Sequence, residues 1–212
     1  NLWVTSNRSG LIRLRETNIT NIQVPQISSN RVNIIHETPT GRLYVGTDAN
    51  QIDICENNQC KPLVIKTSVD GNGVRDVFEE SRNSIWLATY SGIINIRNGK
   101  EIQYSAAQGF PADDFRTILK DRQGNFWFGS RSGGLVKFRD GKILKLYGQK
   151  NGLESNYIMA VTETSNGDIY VGTHSGGMSI ISPDGSIRTY HLREDDAGIL
   201  LFNIDEDKQG RI

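Results

Sequence analysis

Proline and histidine are scarce in this 212-residue sequence, at five and three residues. The three histidines, His36, His174 and His191, show neither the H-E-x-x-H nor the H-x-H spacing that would hold zinc. A G-x-S-x-G nucleophile elbow and a Walker-type phosphate loop are missing as well. The acidic runs Glu194-Asp195-Asp196 and Asp205-Glu206-Asp207 lack the asparagine, glycine and glutamate pattern of an EF-hand. No metal and no cofactor is therefore expected, and no enzymatic activity for this segment. Nor does any apolar run approach the roughly 20 residues that cross a bilayer as a helix, so no membrane span is expected.

An excess of one charge is also absent. Lysine plus arginine total 24, as do aspartate plus glutamate, so the formal net charge is zero. Domains that neutralise phosphate carry a basic surplus, and nucleic acid is not an expected partner. The chain starts at Asn1 without a basic-then-apolar leader, as expected of a processed chain or a piece of a longer one. Against these gaps stand 22 glycines, with hydrophobic residues at only 36%. That balance favours many short strands joined by tight turns, and the length suffices for one sizeable core.

The sequence repeats. Leu2-Trp3-Val4-Thr5-Ser6, Leu43-Tyr44-Val45-Gly46-Thr47, Ile85-Trp86-Leu87-Ala88-Thr89, Phe126-Trp127-Phe128-Gly129-Ser130 and Ile169-Tyr170-Val171-Gly172-Thr173 align on the aromatic anchors Trp3, Tyr44, Trp86, Trp127 and Tyr170, in steps of 41 to 43 residues. A turn residue (Gly41, Asn83, Gly124, Gly167) precedes each of the last four, and Gly210 opens a sixth. Upstream of each turn lies an apolar pair: Val32 and Ile35, Val74 and Val77, Phe115 and Ile118, Ile158 and Val161, Leu201 and Ile204. Each unit reads as four strands, typified by 156–163, the aromatic core, 134–138 and 142–147. The second strand is apolar on both faces, as for a buried strand, whereas the fourth alternates as an outer strand does. The expected fold is all-β, a β-propeller segment over residues 1–212 with four-stranded blades. Five repeats suit either a closed five-bladed ring or part of a larger, seven-bladed one.

The stretch Gly124 to Leu135, with Asp140-Gly141 and Gly152-Leu153-Glu154-Ser155-Asn156-Tyr157-Ile158, resembles the two-component regulator propeller repeat. That resemblance implies the periplasmic sensor region of a hybrid two-component system, of the kind best known from gut Bacteroidetes. It also implies detection of glycan breakdown products and a membrane histidine kinase downstream. Expected partners are an oligosaccharide or other small molecule, a neighbouring propeller or β-sandwich domain of the same protein, and a second copy in a homodimer. Streptogramin B lyases are propellers with similar repeats that use a histidine and magnesium, and His174 is the one base candidate for that reading. A cell-envelope scaffold that binds another polypeptide is a further alternative.

Positions that vary within the constant frame are the candidates for specificity. Asn7, Asp48, Tyr90, Arg131 and His174 each follow the second strand, on loops that open on one face of a propeller. Such a set offers donors, acceptors and a ring to a polyol or an acidic sugar, or else consists of exposed turn residues. The connections 70–73, 109–114 with Phe110, and 148–156 open on the same face. The aromatic anchors are expected between blades, and the small residues two places later (Thr5, Gly46, Ala88, Gly129, Gly172) make room for the adjacent blade. Cys55 and Cys60 lie across a third-to-fourth-strand hairpin with a four-residue loop, where opposed residues suit a disulfide and an oxidising compartment.

Overall fold

The computed structural model describes residues 2–6, 10–14, 19–22, 26–38, 41–49, 51–57, 59–66, 73–175, 177–191 and 200–212. They fall into two compact units, Asn1–Gln103 and Tyr104–Ile212. In the first unit, β1 (Leu2–Ser6), β2 (Gly10–Leu14) and β3 (Ile19–Ile22) form a three-stranded sheet. A second sheet holds β4 (Val32–Glu37), β5 (Leu43–Thr47), β6 (Gln51–Glu56) and β7 (Gln59–Val64). The third holds β8 (Asp76–Ser81), β9 (Ser84–Thr89), β10 (Gly92–Arg97) and β11 (Lys100–Tyr104). In the second unit, β12 (Phe115–Lys120), β13 (Phe126–Ser130), β14 (Leu135–Arg139) and β15 (Lys142–Tyr147) form one sheet. The other comprises β16 (Ile158–Glu163), β17 (Ile169–Thr173), β18 (Gly177–Ile181) and β19 (Ile187–His191). Each four-stranded sheet is an antiparallel meander in sequence order, the blade of a β-propeller. Among the described residues no helix is long and apolar enough to cross a membrane.

The burial of each strand follows from its place in the blade. β5, β9 and β13 are buried along their whole length, whereas β7 and β15 are largely exposed. Two of the anchor rings sit between sheets of the same unit: Tyr44 packs with Val77, Ile85 and Leu87, and Trp127 with Ile158, Ile169 and Val171. The polar tips of these two and of Trp86 are satisfied at the first-to-second-strand turn. Trp127 Nε1 donates to Asp121 Oδ2 at 2.8 Å, Trp86 Nε1 to Glu80 Oε2 at 3.1 Å, and Arg42 Nη1 to the Tyr44 hydroxyl at 3.1 Å. Burial pushes the Tyr44 hydroxyl pKa up.

The small residue two places on is required by the next sheet's first strand. A Cβ at Gly129 would lie 2.5 Å from Thr117 Cγ2 and 2.7 Å from Ile158 Cγ2; at Gly46 it would lie 2.6 Å from Ile34 Cγ2 and 3.0 Å from Val74 Cβ. Gly172 is closed in the same manner by Leu201 and Ile204, the apolar pair of the sixth repeat. Those two residues pack as a first strand does, yet residues 200–206 form no strand.

A disulfide joins Cys55 and Cys60. The strands run past the cysteines to Glu56 and Gln59, so the connecting loop has two residues, 57–58, not the four expected. The ladder closes one pair further because Asn57 adopts the left-handed conformation (φ 51°) that a tight hairpin needs. In two other blades the equivalent cross-strand pair is apolar, Phe138 opposite Ile143 and Ile181 opposite Ile187. The cystine thus occupies a core position.

Candidate functional site

The loop face is built on a buried hydroxyl. Thr47, Thr89, Ser130 and Thr173, which end the second strands, are fully buried. Three of them donate across the loop to the third strand's entrance: Thr89 to Gly92 O, Ser130 to Gly134 O and Thr173 to Gly177 O, each at 2.9 Å. The residue that follows is therefore fixed by the scaffold while its side chain leaves the core. Its backbone N–H is also held. Asp48 N donates to Arg31 O at 3.3 Å, Arg131 N to Asp114 O at 2.9 Å and His174 N to Tyr157 O at 3.1 Å. In these three blades the position after the second strand thereby acquires a fixed neighbour, the residue just before the first strand of the same blade.

A β-bulge adds a third residue to each set. The ladder skips one residue between Val32 and Ile34, between Phe115 and Thr117, and between Ile158 and Ala160. The extra residues are Asn33, Arg116 and Met159, and Arg75 has the equivalent place before β8, its N–H donating to Ala88 O at 2.8 Å. A bulge re-aims the side chain it carries. The bulge was announced by apolar pairs three residues apart, since a regular strand returns to the same face after two.

In the first unit, Asp48 accepts from Ser29 Oγ at 2.6 Å and pairs with Arg31 Nη1 at 3.6 Å. Tyr90 carries the Arg75 guanidinium over its ring at 4.3 Å, and Arg75 Nη1 donates to Asn33 Oδ1 at 3.5 Å. The residue before the third sheet's first strand is Gly73, where a Cβ would stand 2.7 Å from both Asp48 Cα and Thr47 O. Tyr90 consequently has no side-chain neighbour at that position, and Arg75 covers it instead.

In the second unit the predicted pair Arg131 and His174 converges on Tyr157. His174 stacks on the phenol with ring centroids 4.4 Å apart and planes 8° apart. The Arg131 and Arg116 guanidinium carbons lie 5.6 and 5.4 Å from the same ring centroid. Arg116 Nη1 donates to the Tyr157 hydroxyl at 2.5 Å, and Arg131 Nη1 is 3.8 Å from Asp114 Oδ2. Both connecting loops of this unit contain a short 3₁₀ turn. The 3₁₀ turns Ala106–Gln108 and Gln149–Asn151 end at Gly109 and Gly152, with φ of 87° and 103°. Phe110, which follows the first of them, packs on Tyr104, Phe115, Phe128 and Phe138, so it caps the sheet. Of the five candidate positions, Asn7 lies outside the described residues, Asp48 and Tyr90 belong to the first unit, and Arg131 and His174 come together in the second. Among the described residues, no group of three or more His, Cys, Asp or Glu side chains is placed to hold a metal ion.

With fold and site in view, comparison with known proteins gives two results. The fold is that of the β-propellers. The extracellular domain of a hybrid two component system of B. thetaiotaomicron superposes with a TM-score of 0.75 at 22% identity, over 91% of this chain and 27% of that one. For the extracellular domain of a one component system of the same organism the values are 0.76, 20%, 92% and 30%. A streptogramin B lyase superposes at 0.79 with 19% identity, over 98% of this chain and 70% of that one. The chain thus spans less than a third of either extracellular domain. More particularly, the chain carries the two component regulator propeller repeat, matched by residues 109–132 and 152–175. No curated protein matches it.

Proposed function

We propose that this chain is the recognition part of an extracytoplasmic sensor. It binds a small ligand, an oligosaccharide, on the loop face and signals to a membrane histidine kinase through the domains it packs against. The observation that carries this reading is the second-unit cluster: Arg116, Arg131, Tyr157 and His174 stand together at hydrogen-bonded strand ends, outside the buried core. Binding residues placed on a stiff scaffold lose little entropy on capture, and ligand-dependent packing biases the assembly they belong to. The propeller repeat and the similarity to extracellular domains of two component systems support the signalling context. The cystine supports an oxidising compartment, the periplasm.

The test is thermal unfolding of the chain against a panel of oligosaccharides, repeated with Tyr157→Ala and His174→Ala. A saturable rise in melting temperature, lost in both variants, is expected. A panel without any shift, together with a polypeptide captured on the propeller, decides for the scaffold reading. That alternative has its own observation, the exposed Leu144 and Leu146 on an outer strand. The lyase reading rests on His174 alone, and magnesium-dependent lactone cleavage abolished by His174→Ala is the result that decides for it.

A further inference from the structure

The second-unit cluster has a surplus of positive charge. It joins two guanidinium groups, Arg116 and Arg131, with one carboxylate, Asp114. The Arg131–Asp114 contact is loose at 3.8 Å, and the Arg131 side chain is 58% exposed. A guanidinium has five N–H donors in a planar fork, so Arg131 retains donors for a second partner. The hydrogen-bond partner of Arg116 is the Tyr157 hydroxyl, a neutral phenol that compensates no charge. Both cations nevertheless approach one ring, one face of which is already covered by His174. Like charges gathered at a single ring repel, and the ring quadrupole offsets only part of that repulsion. The first unit has the same tally, Arg31 and Arg75 with Asp48, but there the two guanidinium groups go to different partners instead of converging on one ring. There Asp48 is engaged by Ser29 and Arg31, and Arg75 by Asn33 and Tyr90, a mixture of donors and acceptors suited to hydroxyl groups.

We infer that the ligand of the second-unit cluster is an acidic sugar, whose carboxylate or sulfate is gripped by Arg116 and Arg131 beside the Tyr157–His174 stack. Planar forks match the oxygens of both groups, and charge-assisted hydrogen bonds are the stronger kind. Tyr157 serves as a positioning residue, since its hydroxyl holds Arg116 toward Arg131. The inference rests on the recognition function proposed above and adds the charge of what is recognised.

The experiment is isothermal titration of the whole 212-residue chain with three probes: an oligogalacturonide, its carboxyl-reduced neutral counterpart, and a sulfated lactose. Binding of the first or the third is expected, each separating one source of the anion, with the neutral counterpart at least about tenfold weaker. Affinity falls as salt is raised. Arg131→Gln and Arg116→Gln each weaken the acidic probe by about tenfold or more, Arg116→Lys by less, and Tyr157→Phe by severalfold with the ring retained. If Arg116→Gln melts early, Arg131→Gln carries the test, because that side chain is mostly exposed. Equal affinity for the neutral counterpart, or indifference of the acidic probe to both arginine variants, overturns the inference and leaves sugar recognition standing. Failure of all three probes and of every neutral sugar overturns both.

Discussion

The two loop clusters use the same backbone positions with exchanged chemistry. In the first unit Arg31 precedes the first strand and Asp48 follows the second; in the second unit those places are taken by Asp114 and Arg131. The backbone bond between the two positions is the same, Asp48 N to Arg31 O and Arg131 N to Asp114 O. The aromatic moves too, from Tyr90 after a second strand to Tyr157 before a first strand, and in both settings an arginine at the bulge position reaches it. The blade therefore dictates which residues are neighbours, while the neighbours' charges are free to change. Recognition on such a scaffold is a matter of a few side chains per blade.

The largest way to break this comparison is to remove the scaffold under one cluster. Trp127→Ala empties the space between the two sheets of the second unit and leaves Asp121 without the indole donor. A loss of about 3–5 kcal/mol is expected in denaturant unfolding, with the loop face disordered as a consequence. Gly129→Ala forces a methyl against Thr117 and Ile158 and should cost about 1–3 kcal/mol by the same measurement.

The cystine allows a finer cut. Cys55→Ser with Cys60→Ser removes a cross-link around a short loop and is expected to cost about 2 kcal/mol on the chain-entropy model. Cys55→Val with Cys60→Ile should recover part of that loss, since the matching pairs elsewhere are apolar. Recovery no better than with serine would show that the cross-link and not the packing matters.

Exchanging the ion pair tests the comparison itself. Asp114→Arg with Arg131→Asp gives the second unit the polarity of the first. A loss of about 1 kcal/mol in stability is expected, because Arg131 is mostly exposed while the Asp114 side chain is only 23% exposed. Binding of an acidic probe should nevertheless fall, because Arg131 has moved to the other position.

The smallest effect is a pH slope in the first unit. Burial holds the His36 pKa below its ordinary 6.5, only partly opposed by Glu79. A histidine kept neutral by the fold takes up its proton more readily when unfolded. Stability should therefore be full above about pH 6.5 and decline as pH falls below it toward the lowered value. His36→Gln should flatten that part of the curve, followed by urea unfolding at a series of pH values.

The repeat made the blades legible in the sequence. The anchors at Tyr44 and Trp127 and the glycines two places on are where packing demands are strictest, so their residue types recur and reveal the period. Position 131 or 174 was legible only as a place in that period, because nothing in the frame constrains its chemistry. Tyr157 was legible as a residue at a first-strand entry, but its meeting with Arg116 was not. The two are 41 residues apart in sequence and belong to different blades, and no local pattern reports that the hydroxyl of one meets the guanidinium of the other. The i to i+3 spacing of Phe115 and Ile118 did record the bulge that turns Arg116 out of the strand.

Periodicity by itself determined the all-β fold, the four-stranded unit and the buried second strand, since each follows from side chains alternating across a sheet covered on both faces. It also marked the loop positions that leave the core. Only the tertiary structure decided which of those residues meet. Adjacent sheets bring Arg116, Arg131, Tyr157 and His174 within a few ångströms, and the resulting surplus of positive charge belongs to that juxtaposition, in a chain whose overall formal charge is zero.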